Sequence, residues 1–122
     1  MSESGERMLH ELLDAWASRI TARQPAQVAE LFTEGALFQG FDPEPGFGRA
    51  VVEAYYAKQP VGLTPEYELL SAHEASDDVL VGYARVVFHR PDVDAHVYLT
   101  VVAERHGGEW LLSHYHVSKI AS

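Results

Sequence analysis

The spacing of apolar positions along this chain changes once, from a helical repeat to a strand repeat. Leu9, Leu12, Leu13, Trp16 and Ile20 recur at i, i+3, i+4, i+7 and i+11, which lays one apolar stripe along a first helix. Ser4 is placed to cap its start and Glu6 falls in its first turn. Arg19 and Arg23 lie near the end, where the helix dipole favours cations. Pro25 suits the first position of a short second helix that turns Val28, Leu31 and Phe32 inward and stops near Gly35. After a brief apolar piece, Ala36 to Gln39, the run from Gly40 to Gly48 is too rich in Pro and Gly for regular structure and reads as a loop holding two aromatics, Phe41 and Phe47. A third helix, about Arg49 to Lys58, sets Val51, Val52, Tyr55 and Tyr56 at helical spacing and ends before Pro60.

From Glu66 onward the period becomes two. Turn signals at Ser76-Asp77-Asp78, Arg90-Pro91-Asp92 and Gly107-Gly108 separate strands over 66–75, 79–89, 94–105 and 109–119. Such short connections favour antiparallel neighbours, since a parallel pair needs a crossover of about a dozen residues or more. Helices first and strands after predict an α+β domain: a curved antiparallel meander with the three N-terminal amphipathic helices laid on one face.

The last strand sharpens this picture because neither of its sides is polar. Trp110, Leu112, His114, His116 and Ser118 share one face, and Leu111, Ser113, Tyr115 and Val117 share the other. Helices account for one cover, and the other face needs a second. Register is left open by the turn His106-Gly107-Gly108-Glu109. A two-residue turn puts Val101 on the side of His114, whereas a three-residue loop or a glycine bulge groups Val97, Leu99 and Val101 with Ser113, Tyr115 and Val117.

Composition narrows the function classes. A chain of 122 residues fits one domain, 1–122, able to bury a real core. No cysteine is present, so disulfides, thiolate metal sites and cysteine nucleophiles are excluded. With 9 basic against 18 acidic residues, the formal charge of −9 argues against nucleic acid as a partner. No apolar run approaches the ~20 residues of a membrane span, and Met1 to Arg7 lacks a signal peptide's basic start and apolar middle. The expectation is a soluble, cytoplasmic protein that neither enters a membrane nor binds nucleic acid.

Several residues give the chain a recognisable likeness. Trp110 is followed by His114-Tyr115-His116-Val117-Ser118, Tyr83-Ala84-Arg85 lies on the preceding hairpin, Gly48 to Tyr56 opens the third helix, and Phe41-Asp42-Pro43-Glu44 stands in the loop. In this the chain resembles the nuclear transport factor 2-like cone fold, and within it the SnoaL-like class and the association domain of calcium/calmodulin-dependent protein kinase II.

That resemblance implies a pocket between the sheet's concave face and the helices, lined in the kinase domains by arginines and a helix tyrosine. Tyr55 and Arg85 match that set, while the two further arginine positions are Val101 and Val117 here. One charged anchor in an apolar pocket fits a hydrophobic small molecule better than a multiply charged one, with no cofactor implied. Tyr115, Trp16 and Tyr83 complete the candidate lining, although Trp16 and Tyr83 also fit a purely structural place. Arg85 either holds the ligand or is neutralised by Asp14 or Glu53.

The resemblance also selects the second register, with Tyr115 inward and His114 and His116 outward. The outer face would then carry Phe88, His96, Tyr98, Val102, Trp110, Leu112, His114 and His116, too apolar to stay wet, and a homodimer through Trp110, His114 and His116 is expected. His96, His114 and His116 could ligate a metal, but no carboxylate stands at a fitting position, so an interface role and no metal are expected.

Two functional classes follow. One is a binding protein or isomerase- or cyclase-type enzyme for a hydrophobic metabolite; the other is a non-catalytic association or ligand-sensing module. Proton abstraction beside a carbonyl needs a base, and the inward strand positions 97, 99, 101, 113, 115 and 117 offer neither acid nor histidine. Asp14 and His89 are the fallback bases, and no catalytic residue is assigned.

Overall fold

Three helices and six strands follow the helix-then-strand order, with two strands set among the helices. The computed structural model describes residues 3–41 and 44–120. Asp42 and Pro43 of the loop motif, like residues 1, 2, 121 and 122, lie outside the described residues. The helices are α1 (Glu3–Thr21), α2 (Pro25–Ala29) and α3 (Arg49–Ala57). The strands are β1 (Phe32–Gln39), β2 (Gly46–Phe47), β3 (Thr64–Ser76), β4 (Val79–His89), β5 (Ala95–His106) and β6 (Glu109–Lys119). They form one mixed sheet in the order β2-β1-β6-β5-β4-β3.

The meander from β3 to β6 is antiparallel throughout, as the short turns require. What the spacing did not reveal is β1. Residues near Phe32 were expected to extend α2, but α2 stops at Ala29 and the backbone turns into a strand parallel to β6, pairing Phe38 with Tyr115. The pairing supplies partners to one edge of β6, and the Leu112 N–H donates to the Leu31 carbonyl at 2.7 Å. Helix α1 already includes Glu3, so Ser4 lies inside it rather than capping it.

One face of the sheet is closed by α1 and α3. Leu9, Leu13 and Trp16 of α1 share one buried core with Val52 of α3, with Leu80, Ala84 and Val86 of β4 and with Val97, Leu99, Val101 and Ala103 of β5. The small residues of β4 mark where the helix comes closest: a Cβ added at Gly82 would lie 3.2 Å from the Leu9 side chain. Gly82 and Ala84 therefore belong to the covered face, and alternation sends Tyr83 and Arg85 to the other. The same parity makes Phe88 a core residue, buried and edge-on to Trp16, rather than part of the outer face as expected.

The β5–β6 hairpin resolves the register differently from either simple alternative. Gly107 and Gly108 adopt φ of 57° and 84° in a two-residue turn, with His106 opposite Glu109. A bulge farther along, between the Val102–His114 and Ala103–Leu112 pairs, leaves Ser113 as the extra residue. Tyr115 is consequently inward with Val101 and Val117, while Leu112 on the near side of the bulge is also inward and fully buried. Leu112 thus leaves the outer face. Trp110 leaves it too, packing against the core and lying under Arg105 at 5.4 Å.

Candidate functional site

The C-terminal ends of β1, β4 and β6 meet the start of β5 and the C-terminal end of α3 at the open end of the cone. Behind that opening the interior is filled by rings: Phe38 stacks on Tyr115 with centroids 4.5 Å apart, and Phe32 and Trp16 flank Tyr115 at 5.9 and 6.0 Å. Three polar atoms run through this apolar mass. The Trp16 indole N–H donates to the Tyr56 hydroxyl at 3.0 Å, and the Tyr56 hydroxyl donates to that of Tyr115 at 3.1 Å.

This chain holds three protons (one indole N–H and two hydroxyls) but only two bonds, so three minus two leaves one hydroxyl proton without an acceptor among the described residues. The count is the same whichever tyrosine donates to the other. A buried donor left unmatched is costly, of order 1–3 kcal/mol, and marks a place where an acceptor oxygen is welcome. Burial raises the pKa of both Tyr56 and Tyr115 far above the ordinary phenol value, so both stay neutral donors at any physiological pH.

The way in is shut by Phe41. Inside it, Phe41, Tyr55, Tyr56, Gln59, Leu63, Phe88, Arg90 and Ala95 enclose only about 10 Å³, roughly the space of one water. Outside it an open basin of about 760 Å³ runs past Lys58, Arg90 and Lys119. Phe41, Tyr55, Gln59 and Arg90 line both, so they form the partition. Phe41 is held there by its backbone N–H, which donates to the Tyr55 hydroxyl at 2.9 Å, and by Lys119, whose Nζ stands 4.3 Å from the ring centre. Gly40 makes this possible: a Cβ there would come within 2.6 Å of the Tyr55 ring. A separate cavity of about 200 Å³ between the three helices, lined in part by Ile20, Arg23, Val28 and Pro60, reaches Tyr56 from the side.

Of the residues picked from the sequence, the fold brings Trp16, Tyr55 and Tyr115 to this end of the cone. Arg85 and Tyr83 are on the opposite face of the sheet. Arg85 lies over the Tyr98 ring at 5.6 Å and donates to its hydroxyl at 3.3 Å, and the Tyr98 ring stacks on Tyr83 at 5.5 Å. Neither Asp14 nor Glu53 neutralises Arg85; Glu68 faces it across the β3–β4 register, and the hydrogen bond to Tyr98 with that carboxylate's field raises its pKa. The fallback bases are also elsewhere. Asp14 accepts from the Tyr67 hydroxyl at 2.6 Å, and His89 sits between Glu66 and Asp94 at 2.8 and 3.1 Å.

Sequence reasoning passed over Tyr56, the hub of the hydrogen-bond chain, by choosing its neighbour Tyr55. It also passed over Arg90, which reads as a turn residue before Pro91. Parity would have found it only with β4 in its true orientation: two residues beyond Phe88, which the fold turns inward against expectation, Arg90 continues the covered face.

The comparisons agree with this architecture. A model of the SnoaL-like domain matches residues 9–122. The chain belongs to the SnoaL-like domain family. Its fold is that of the nuclear transport factor 2-like proteins, as solved structures show. A ketosteroid isomerase-like protein from Erwinia carotovora atroseptica superposes with a TM-score of 0.83 at 15% identity, covering 100% of both chains. A candidate calcium/calmodulin dependent protein kinase II association domain from Xanthomonas campestris gives 0.78 at 20% identity, covering 93% of this chain and 86% of that one. A candidate scytalone dehydratase from Novosphingobium aromaticivorans gives 0.78 at 12% identity, covering 95% and 84%. No curated protein sequence matches the chain. Among the described residues no helix is long and apolar enough to cross a membrane, and no three His, Asp or Glu side chains gather as a metal site.

Proposed function

We propose that this SnoaL-like protein binds a small, largely hydrophobic molecule bearing an acceptor oxygen, at the mouth of the cone, and does so as a homodimer joined through the outer sheet face. The observation that carries the binding role is the unmatched proton of the Tyr56–Tyr115 pair in an otherwise aromatic interior. Tyr56 is the member that lines both the mouth and the side cavity, so an oxygen arriving by either route meets it. Neutral hydroxyls of this kind polarise a carbonyl, the half of isomerase-type chemistry that the site supports. Among the described residues no carboxylate or imidazole is buried with them, so ligand binding is the function the geometry supports best.

Dimerisation draws support from the outer face, where half-buried Leu37, Val81, Tyr98 and Val102 surround His114 and His116, with Tyr83 exposed beside them. A relative named as a candidate association domain points the same way.

The test is a thermal-shift and calorimetric screen with uncharged oxygenated probes, such as 1-indanone, 2-tetralone and a 3-ketosteroid. A binder at a hundredfold excess over Kd stabilises by about 2.7 kcal/mol, and Tyr56→Phe should abolish that gain. Absence of stabilisation by all of them, in wild type and in Phe41→Ala, would sink the binding role.

A further inference from the structure

We infer that the ligand of this mouth is a monocarboxylate with an apolar body, its carboxylate held by Arg90 once the Phe41 ring has swung out. This rests on the mouth being a binding site. Arg90 Nε is buried with no hydrogen-bond partner, the one such side-chain nitrogen or oxygen among the described residues. A buried guanidinium N–H left without an acceptor is costly, and a carboxylate is the group whose geometry matches the fork to which that Nε–H belongs. The abundance of unused carboxylates makes the vacancy informative: with 18 acidic residues against 9 basic ones, the fold still places none of the described ones on Arg90.

Two further features set the ligand's shape. Beyond Arg90 the lining turns apolar, through Phe88, Leu63 and Ala95, towards the Tyr56 ring, so the far end of the ligand is hydrophobic with at most one acceptor oxygen. The enclosed 10 Å³ admits no such body. Phe41 lines both this space and the 760 Å³ basin outside, together with Tyr55, Gln59 and Arg90, so moving its ring opens one part of that partition. The contacts holding it are one hydrogen bond from its N–H to Tyr55 and the Lys119 cation over its face. An incoming carboxylate competes for Lys119 as it passes, which loosens the ring it must displace. A single guanidinium at the mouth, with the Lys58 and Lys119 ammoniums and the Glu44 carboxylate farther out on the basin, suits a single negative charge better than a doubly charged phosphate, which the overall charge of −9 also repels.

The experiment is titration calorimetry, with quenching of Trp16 fluorescence in a Trp110→Phe background. The probes are 3-phenylpropanoate, 2-naphthoate and decanoate, each beside its primary amide, with phenyl phosphate and inorganic phosphate as further probes. At least one acid should bind about tenfold or more tighter than its amide. Arg90→Gln should bring that ratio to about one, and Phe41→Ala should tighten acid and amide alike. Equal binding of acids and amides, or an acid preference that survives Arg90→Gln, overturns the carboxylate assignment and leaves the binding role standing. Tighter binding of phenyl phosphate than of every acid also overturns it. Failure of every acid and every amide, in wild type and in Phe41→Ala, removes both the assignment and the binding role beneath it.

Discussion

The Tyr56 and Tyr115 hydroxyls meet 3.1 Å apart although 59 residues separate them in the chain, one on a helix and one on the strand that pairs with both neighbours of the cone's seam. Their contact ties α3 to the sheet, and the Trp16 indole ties α1 to both. The interior polar groups are thus a structural clamp as well as a candidate recognition element.

The two hydroxyls are unequal, and mutation should show it. Tyr56→Phe leaves both the Trp16 N–H and the Tyr115 hydroxyl proton without acceptors. Tyr115→Phe leaves only one proton unmatched, as in the wild type. Urea unfolding should therefore find Tyr56→Phe destabilised by about 1–3 kcal/mol and Tyr115→Phe by clearly less. Equal losses would mean that Tyr115 has an acceptor of its own.

Gly40→Ala should act at a distance through Tyr55. The added methyl enters the Tyr55 ring at 2.6 Å, which forces the ring away and breaks the Phe41 N–H bond. The expected outcome is a loss of about 1–3 kcal/mol, with faster amide exchange at Phe41 than at residues of the β1 interior.

The bulge at Ser113 makes a testable division between adjacent leucines. Leu112 is fully buried under the helices, so Leu112→Ala should cost about 2–5 kcal/mol. Leu111 lies half-buried on the outer face, opposite Glu104, and Leu111→Ala should cost less than about 1 kcal/mol in unfolding while weakening self-association. The reverse ranking would place the register one residue out.

Self-association should depend on the same outer face. Val102→Glu, beside His114 in the register, should convert the homodimer to monomer in sedimentation at micromolar concentration, with helical content unchanged. A wild-type monomer under those conditions defeats the dimer outright.

His89 gives stability a sign with pH. Hydrogen bonds that the protonated ring donates to Glu66 and Asp94, in that order of effect, raise its pKa above 6.5. A group with a raised folded pKa stabilises fully below its unfolded value and loses that contribution as pH climbs through the folded one. Denaturation midpoints should therefore fall for the wild type relative to His89→Gln as pH rises from about 6 to about 9, the difference shrinking in high salt because the trio is exposed. A difference that is flat across this range would show the trio to be unformed in solution.

Local pattern was enough to determine α1, α3 and the four strands of the meander, because each is an amphipathic element whose period is written in consecutive residues. It also raised the expectation that the final strand is covered on both faces, of which the fold shows the helix-side cover. It could not disclose β1, since eight residues with weak alternation become a strand only through pairing with β6 some eighty positions later. Nor could it place Arg85 or Leu112. The side of the sheet on which each falls depends on where α1 docks over Gly82 and on a single extra residue at Ser113, and both are properties of the assembled chain. The candidate site shows the same division. Its aromatic residues stand out in the sequence, but the leftover hydroxyl proton, the unpartnered Arg90 Nε and the Phe41 plug exist only when distant segments are packed together, because hydrogen-bond satisfaction is decided by neighbours in space.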